Sequence, residues 1–298
     1  MPELPEVETM RRGIAVLEGT RITSVRFPSG RRRPLKITPA PALLASLLIG
    51  SRVAEVERYG KRIAIRVVPR VGAATRWLVI EPRMTGLLLL VEPPTADHLR
   101  MEVDLDAGVA SHRLRFWDQR GLGTIRLVDA AGLERACGPE KLGEDGLSVG
   151  GGTLAGWLGT SRRAVKVALL DQRAVAGIGN IYAAEILHRA RIDPRTACRR
   201  LADSDWDLVA ACTRRVLAAA VRHEGSSIGD ELYRTADDRK GRFQLHHRVY
   251  GREGCPCRRC RTPIERIVQA QRSTFFCPTC QTGRRGRSRV ATTRRRRG

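Results

Sequence analysis

The sequence predicts an α+β chain with several domains, in which an antiparallel β-sandwich with an N-terminal helix precedes a helical domain and a four-cysteine module. Short runs of alternating apolar and polar residues fill the first half, whereas from about residue 130 apolar residues recur with the period of an α-helix. Five of the eight cysteines crowd into residues 255–280, which is typical of a metal site in a reducing compartment. We expect a sandwich domain at 1–135, a linker at 136–150, a helical domain at 151–235, a loop with the cysteine module at 236–283, and an arginine-rich tail at 284–298.

The first predicted element is a helix, because apolar residues from Leu4 to Leu17 recur at helical spacing. Pro5 falls in its first turn, where the missing N–H costs nothing. A second helix is expected at Ala40 to Leu48. The alternating segments predict eight strands, at Arg21 to Phe27, Arg52 to Glu57, Arg62 to Val68, Arg76 to Ile80, Leu87 to Val91, Leu99 to Leu105, His112 to Trp117 and Thr124 to Val128.

The second half predicts helices at about 153–158, 162–171, 180–190 and 205–223. Gly138, Pro139 and the glycines at 150–152 indicate a linker before them. Further on, residues 271–276 predict a small hairpin between cysteine pairs, with Arg272 at its tip.

Charge limits the partners that suit this chain. Lys and Arg number 54 against 31 acidic residues, a formal net charge of +23. Residues 284–298 hold eight arginines and no acid, so the remainder carries 23 − 8 = +15. A polyanion is therefore the expected partner, usually nucleic acid. Anionic membrane is the rival, but the sequence has no run of 18 apolar residues and no signal-peptide pattern, so we expect a cytoplasmic protein without membrane contact.

The cysteines form two C-x2-C pairs, Cys257 with Cys260 and Cys277 with Cys280, separated by sixteen residues. This spacing suits one tetrahedral Zn²⁺ held by four thiolates. Four protein ligands leave no open position, so the zinc is expected to be structural. Cys255 is two residues from Cys257, so a ligand set that includes Cys255 is conceivable. The C-x2-C spacing is the ordinary one for zinc, and it leaves Cys255 as a thiol that binds no metal.

The N-terminus carries a candidate nucleophile. Initiator methionine is normally removed before a small residue such as proline, which would expose the secondary amine of Pro2. An α-amino group titrates near about 7.7–8.0, so part of it is a free amine at neutral pH and can form an imine with an aldehyde carbon. Glu3 would place a carboxylate beside it. Alternatively, Pro2 is only a common second residue, and Glu3, Glu6 and Glu8 complement the helix dipole.

The run Pro2-Glu3-Leu4-Pro5-Glu6-Val7-Glu8-Thr9 resembles the N-terminus of bacterial formamidopyrimidine-DNA glycosylases, and the resemblance extends to about residue 281. It implies a monomeric glycosylase and AP lyase that excises oxidised purines, such as 8-oxoguanine and formamidopyrimidines, from duplex DNA by β- and δ-elimination. Pro2 would be the nucleophile and Glu3 the general acid. Lys61 matches the family lysine that contacts phosphate and assists elimination.

A second stretch, residues 171–183, combines Gly177 and Gly179 with Asn180 at the start of a predicted helix, and a helix N-terminus can bind phosphate. It resembles the helix-two-turn-helix of the same family. The resemblance implies that Asn180 and Tyr182 hold DNA phosphates together with Lys166. Such contacts position a protein on DNA but carry no sequence information.

The resemblance also assigns the remaining DNA contacts. Met84 would fill the gap left by an everted base, and Arg120 would pair with the orphaned base. His98 would contact phosphate, Lys240 would lie in the loop that closes over the lesion, and Arg272 would enter the DNA beside it. The sequence departs from the family at Gly121 and Leu122, which replace a basic residue and a stacking phenylalanine.

Two alternatives remain open. One is the branch of the superfamily that acts on oxidised pyrimidines, and the other is a DNA-binding relative without catalysis. The presence of Pro2 and Glu3 favours an enzyme. The sequence Pro2-Glu3-Leu4-Pro5 and the loop that contains Lys240 favour the branch that acts on oxidised purines.

Overall fold

The protein, described here from a computed structural model, is defined over residues 2–28, 34–70, 74–108, 111–228 and 232–282. The predicted tail at 284–298 lies outside these ranges. The helices are α1 (Leu4–Ile14), α2 (Pro41–Leu48), α3 (Ala130–Cys137), α4 (Gly151–Leu158), α5 (Val165–Ala168), α6 (Asn180–Ala190) and α7 (Asp203–Arg222). The strands are β1 (Arg21–Arg26), β2 (Lys36–Thr38), β3 (Arg52–Tyr59), β4 (Arg62–Val68), β5 (Arg76–Glu81), β6 (Gly86–Leu89), β7 (Leu99–Asp106), β8 (Ser111–Asp118), β9 (Thr124–Val128), β10 (Glu265–Gln269) and β11 (Arg272–Phe276).

Nine strands of the first half form one hydrogen-bonded sheet in the order β2-β9-β5-β4-β3-β1-β7-β8-β6. The pairing of β1 with β3 is limited to the register pair Arg21 and Arg52, so this junction divides the sheet into two halves. Side chains from both halves share one apolar core, for example Ile65 and Ile80 from one half and Val103 and Phe116 from the other. The eight predicted strands are confirmed, and their bounds differ by two residues or fewer.

The prediction of a purely antiparallel sheet is wrong at one edge. Lys36–Thr38 forms a strand that the sequence analysis missed, and it pairs in parallel with Thr124–Arg126. Three residues are too few to show an alternating pattern, so nothing local distinguishes β2 from a loop. All other strand pairs in the described ranges are antiparallel.

Helix α1 connects the two domains because its apolar residues belong to two cores. Val7, Met10 and Ile14 are fully buried against the sheet. Leu4 belongs instead to the core formed by α4 to α7, and its main-chain N–H donates to the carbonyl of Gly177 at 3.0 Å. The first turn of α1 is therefore held in the junction between the domains.

The helical domain agrees with prediction for α4, α6 and α7, but α5 is shorter than the predicted 162–171. The residue before it is extended: Ala164 forms an isolated bridge with Ala197 and has a ψ of 136°. At the other end, the N–H of Asp171 bonds to the carbonyl of Ala168, three residues back, so the helix tightens and stops. Helix α3 also extends into the segment that the sequence analysis assigned to a linker.

The C-terminal hairpin is longer than predicted. It comprises β10 and β11, and the turn between them consists of Ala270 and Gln271, which both have positive φ as a two-residue hairpin turn requires. Arg272 therefore begins the second strand instead of lying at the tip. None of the helices in the described ranges combines the length and apolar composition needed to cross a bilayer.

Candidate active site

The side chain of Glu3 caps the start of α6, although Glu3 and Gly179 are 176 residues apart in sequence. Its carboxylate oxygens accept the main-chain N–H groups of Gly179 at 2.7 Å, Ile181 at 2.9 Å and Tyr182 at 3.4 Å. A carboxylate is well suited to this position, because the first N–H groups of a helix have no partners within the helix and carry partial positive charge. The cap fixes the N-terminus of the chain against the helical domain.

Gly177 and Gly179 allow this close approach. A Cβ atom on Gly179 would lie 2.3 Å from the carboxyl carbon of Glu3, and one on Gly177 would lie 2.4 Å from a methyl of Leu4. Gly177 also has a φ of 101°, which favours glycine. The two glycines predict a ligand close to this backbone, whereas in the structure the N-terminal segment itself is the close neighbour.

Pro2 is buried at the meeting point of several cavities. One, of about 210 Å³, is lined by Pro2, Lys61 and Arg272 among others. A wider one, of about 400 Å³, is lined by Glu3, Met84 and Arg272. The three predicted catalytic residues are thus brought together, and Met84 and Arg272 border the same cleft.

Lys61 points into this cleft from the turn between β3 and β4. Its ammonium group donates to the carbonyl of Ile178 at 2.9 Å. Burial lowers the pKa of Lys61, and the charge of Arg272 acts in the same direction, while Glu3 opposes both. The site therefore contains a desolvated amine close to a carboxylate.

A chain of side chains joins the helical domain to the hairpin. The ammonium group of Lys166 donates to the Asn180 side-chain oxygen at 2.5 Å, and the Asn180 amide donates to the carbonyl of Ser273 at 3.0 Å. Lys166 is fully buried, and this burial, reinforced by Arg272, lowers its pKa to about 8. Asn180 thereby fixes the main chain of Ser273, the residue that follows Arg272. The side chain of Arg272 is exposed.

The side chain of Tyr182 does not face the cleft, and its predicted contact with a DNA phosphate stays a prediction. Tyr182 is fully buried, and its hydroxyl donates to Glu6 at 2.5 Å. Glu6 also accepts the N–H groups of Glu3 and Ser226, each at 2.8 Å, and Ser226 lies 3.1 Å from a ring nitrogen of His247. Phosphate contact through the Tyr182 hydroxyl is therefore not favoured by this arrangement.

Glu6 is a site residue that the sequence analysis assigned only to the helix dipole. Burial, followed by the charge of Glu3, raises its pKa. It is 220 residues away from Ser226 in sequence, so no local pattern indicates the contact. The hydrogen bonds of Glu6 connect the main chain of Glu3, beside Pro2, with Ser226, which precedes the predicted lesion loop.

Met84 lies on one loop, and Arg120 and Leu122 lie on another. The hydroxyl of Thr85 connects the two loops. The Thr85 hydroxyl donates to the Asp118 carboxylate at 2.5 Å and accepts the main-chain N–H of Arg120 at 3.0 Å. Asp118 is fully buried and also accepts the N–H of Gly123 at 2.8 Å, which closes the loop. Arg120 is exposed at the tip and Leu122 is half-buried. The predicted plugging residues are therefore held in a common framework.

His98 and Lys240 are not part of the cavities around Pro2. His98 is buried and packs edge-on against Trp117, with ring centroids 5.4 Å apart, so its predicted phosphate contact is not evident. Lys240 is exposed on a loop that Ser227 ties at both ends, since the Ser227 hydroxyl donates to the carbonyl of Tyr233 and accepts the N–H of Gly241. Their roles stay predictions.

The four predicted cysteines form one cluster, in which all four sulphur atoms lie within 4.8 Å of one another. Cys260 and Cys277 are 3.4 Å apart, and Cys257 and Cys280 are 3.9 Å apart. A tetrahedral Zn²⁺ with bonds of about 2.3 Å requires sulphur separations of roughly 3.8 Å, so the residues fit one zinc ion. Cys255 is exposed and is not a member of the cluster, which agrees with the predicted register.

Glu185 docks the cysteine module on α6 and was missed by the sequence analysis. Its buried carboxylate accepts the main-chain N–H groups of Arg248, Val249 and Tyr250 at 2.9 to 3.0 Å. His188, one turn later, lies 3.7 Å from the Cys257 sulphur. The available signal was a single acid within an otherwise apolar stretch of helix, which indicates a buried partner.

Comparisons with known proteins agree with this geometry. Residues 1–125 match the model of the formamidopyrimidine-DNA glycosylase N-terminal domain, and 146–231 match the H2TH domain of the same enzyme. Residues 254–283 match a zinc finger found in these glycosylases and in isoleucyl-tRNA synthetase.

Curated relatives and solved structures match over almost their entire length. Formamidopyrimidine-DNA glycosylases of Chloroflexus aggregans and Phenylobacterium zucineum are 42% and 38% identical over 94% of this chain, which covers 98% and 100% of those proteins. The crystal structure of MutM (Fpg) from Thermus thermophilus superposes with a TM-score of 0.80 at 37% identity, over 95% of this chain and 99% of that one. A Lactococcus lactis Fpg mutant bound to Fapy-dG DNA gives 0.81 at 30%, over 94% and 100%.

Proposed function

This chain belongs to the formamidopyrimidine-DNA glycosylase family, and we propose that it excises oxidised purines from duplex DNA and then cleaves the strand at the resulting abasic site. The observation that carries the proposal is the convergence of Pro2, Glu3, Lys61 and Arg272 on one cleft from three separate parts of the sequence. We infer that the protein acts as a monomer.

Access to the lesion requires base flipping, because the reacting sugar carbon of a stacked nucleotide is out of reach of a buried amine. The flipped nucleotide would enter the cleft that Pro2 and Glu3 line. Met84, Arg120 and Leu122 would occupy the gap in the duplex, since an apolar wedge can hold base steps apart. The hydrogen bonds of Thr85 hold the loops of these three residues together, which supports their insertion into the duplex as a unit.

The first chemical step would form a covalent intermediate. The lone pair of the Pro2 amine attacks C1′, and the bond to the damaged base breaks, so that the base leaves with the bonding electrons and takes up a proton. Glu3 takes up the N–H proton that Pro2 loses and passes it to the ring oxygen as the bond between that oxygen and C1′ breaks. The Pro2 nitrogen and C1′ are then joined as an iminium.

The iminium makes the C2′ proton acidic, because the electrons of that bond can be accepted by the cation. Removal of this proton expels the 3′ phosphate by β-elimination. A second proton loss, from C4′, expels the 5′ phosphate by δ-elimination, and water releases the sugar fragment from Pro2. Lys61 would contact phosphate near the lesion during these steps.

The zinc ion takes no part in this chemistry. Bound by Cys257, Cys260, Cys277 and Cys280, it would hold the hairpin that presents Arg272 to the cleft. The chain's own contacts from Glu185 and Asn180 keep this module on α6.

Borohydride trapping tests the proposal, since reduction of the iminium makes the DNA adduct permanent. We expect a cross-link through Pro2 to a duplex that contains 8-oxoguanine, with mass spectrometry confirming removal of Met1. A retained Met1 or an N-terminal tag should abolish the adduct. Undiminished trapping by a Pro2→Gly form that retains Met1 would reject the assignment.

The second candidate is action on oxidised pyrimidines. A solved structure of the Lactococcus lactis relative, 28% identical to this chain, contains DNA with an oxidised pyrimidine. Parallel trapping on purine and pyrimidine lesions separates the two substrates, and absence of any adduct would leave a DNA-binding protein without catalysis.

A further inference from the structure

A second cavity, with a volume of about 180 Å³, lies where α6, α7 and the start of the cysteine module meet. None of its lining residues borders the cavities around Pro2 described above. Five of them are arginine or histidine: Arg189, Arg248, Arg258, His223 and His246. Such a concentration of positive groups in a concave surface attracts an anion.

The two histidines stack on each other. Their ring centroids are 4.1 Å apart with a tilt of 32°, and the buried ring of Phe243 lies within 6.3 Å of both. Burial lowers the pKa of His223, and the charges of His246, Arg222 and Arg242 add to this effect. An anion at the edges of the stacked rings would offset these positive charges.

The arginines of the cavity are available for a ligand. Glu185 is the carboxylate in its lining, and both its oxygens already accept main-chain N–H groups. Within the described ranges, no ion pair joins Arg189, Arg248 or Arg258 to a carboxylate. Arg258 donates one N–H to the carbonyl of Leu245 at 3.1 Å, which leaves its other donors for an oxyanion.

We propose that this cavity binds a phosphate group. Guanidinium forks and imidazole N–H groups match the oxygens of a phosphate mono- or diester, and charge-assisted hydrogen bonds of this kind are the strong ones. The phosphate belongs either to a free anion or nucleotide or to the backbone of DNA. Both sources have the same recognition chemistry, and the experiment distinguishes them.

The test is a titration of the full-length, zinc-loaded protein with inorganic phosphate at constant ionic strength, followed by the C2 proton signals of His223 and His246. We expect both signals to shift saturably. Arg189→Ala should raise the Kd by about tenfold, the loss of one charge-assisted contact worth about 1.4 kcal/mol. Arg222→Ala is the matched control, an exposed helical arginine outside the cavity, and should change the Kd less than about twofold.

Undamaged duplex is then added to the phosphate-saturated protein. If DNA supplies the phosphate, both signals move to a third position, and Arg189→Ala weakens duplex binding more than Arg222→Ala does. If a free anion is the ligand, the signals stay and the two variants bind duplex alike. Signals that do not shift saturably, or an equal loss of phosphate affinity in both variants, would overturn the proposal. Borohydride trapping by the same variants reports separately on Pro2.

Discussion

Lys166 is a buried residue whose lowered pKa predicts that DNA binding depends on pH. Burial lowers its pKa from its ordinary 10.5 to about 8, and Arg272 acts in the same direction. In the unfolded chain the lysine keeps its proton to higher pH. Between these two values the unfolded state binds more protons, so this group's contribution to folding stability rises with pH in that window. Any loss of DNA affinity above pH 8 therefore cannot come from Lys166 unfolding the protein.

We predict that affinity for duplex DNA falls as the pH rises above 8, by up to about tenfold per pH unit, because binding must then return a proton to Lys166. Lys166→Arg keeps its charge throughout this range and should flatten the profile. Fluorescence anisotropy at fixed ionic strength measures the Kd from pH 6.5 to 9.5. An equally steep profile in Lys166→Arg would assign the dependence to another group, such as Lys61.

The loop tip that carries Arg120 departs from the family pattern at Leu122, so we expect these two residues to contribute differently to DNA contact. Base–aromatic stacking contributes about 1–3 kcal/mol, and Leu122 lacks the π-face for it. Leucine can still separate a base step, so flipping should continue. The guanidinium of Arg120 is exposed, and we expect it to be the polar group that reads the orphaned base.

We predict that cytosine is preferred opposite 8-oxoguanine and that Arg120→Ala erases this preference. Leu122→Phe should preserve or raise excision on both duplexes, since it restores a stacking face. Single-turnover excision opposite cytosine and opposite adenine measures both effects. A preference that survives in Arg120→Ala would refute the role of this arginine.

At the scale of elements, the sequence predicts the bounds of a helix or strand well when the residues that set those bounds lie within the element itself. The helices α1 and α7 have apolar residues at helical spacing, and their bounds are predicted within three residues. Strand β2 is defined by its pairing with β9, and α5 is shortened by pairing of Ala164 with Ala197. Neither partner is adjacent in sequence, so no local pattern marks these boundaries.

The same reasoning applies to the site. Pro2, Glu3 and the cysteine pairs have signatures of residue type and spacing, and the structure brings each group together. Glu6 and Glu185 act through main-chain N–H groups 220 and about 64 residues away. Their roles depend on the packing of α1 and α6 against later segments, which a single sequence does not reveal.

The cysteine module gives a prediction for an element that depends on metal. Cys260→Ser or Cys277→Ser should release zinc and reduce DNA affinity, because a module this small needs its metal to fold. The sheet domain has its own core and should stay folded in both variants. Metal analysis and circular dichroism measure the two outcomes.

Cys255→Ser is the matched control, since this thiol is exposed and lies outside the cluster. It should retain one zinc ion per chain and bind DNA as the unmodified protein does. Retention of zinc in both Cys260→Ser and Cys277→Ser would reject the assigned ligands.

At the scale of the whole molecule, charge should govern affinity for undamaged DNA. The net charge of +23 includes eight arginines at 284–298, and +15 remains without them. Each phosphate neutralised by a protein cation releases counterions, so the logarithm of the binding constant falls with the logarithm of salt concentration by about 0.9 per contact. A protein with this charge should therefore show a steep salt dependence.

We predict that deletion of 284–298 flattens this slope by about 0.9 for every phosphate contact the arginines make, yet leaves excision intact. The reason is that the residues proposed for the chemistry, Pro2, Glu3 and Lys61, line cavities far from this segment in sequence. Filter binding between 50 and 200 mM salt measures the slope, and single-turnover base release at low salt measures the chemistry. Unchanged salt dependence would show that the arginines do not contact DNA. Loss of base release at low salt would show instead that this segment belongs to the catalytic machinery, because at low salt the remaining +15 suffices for binding.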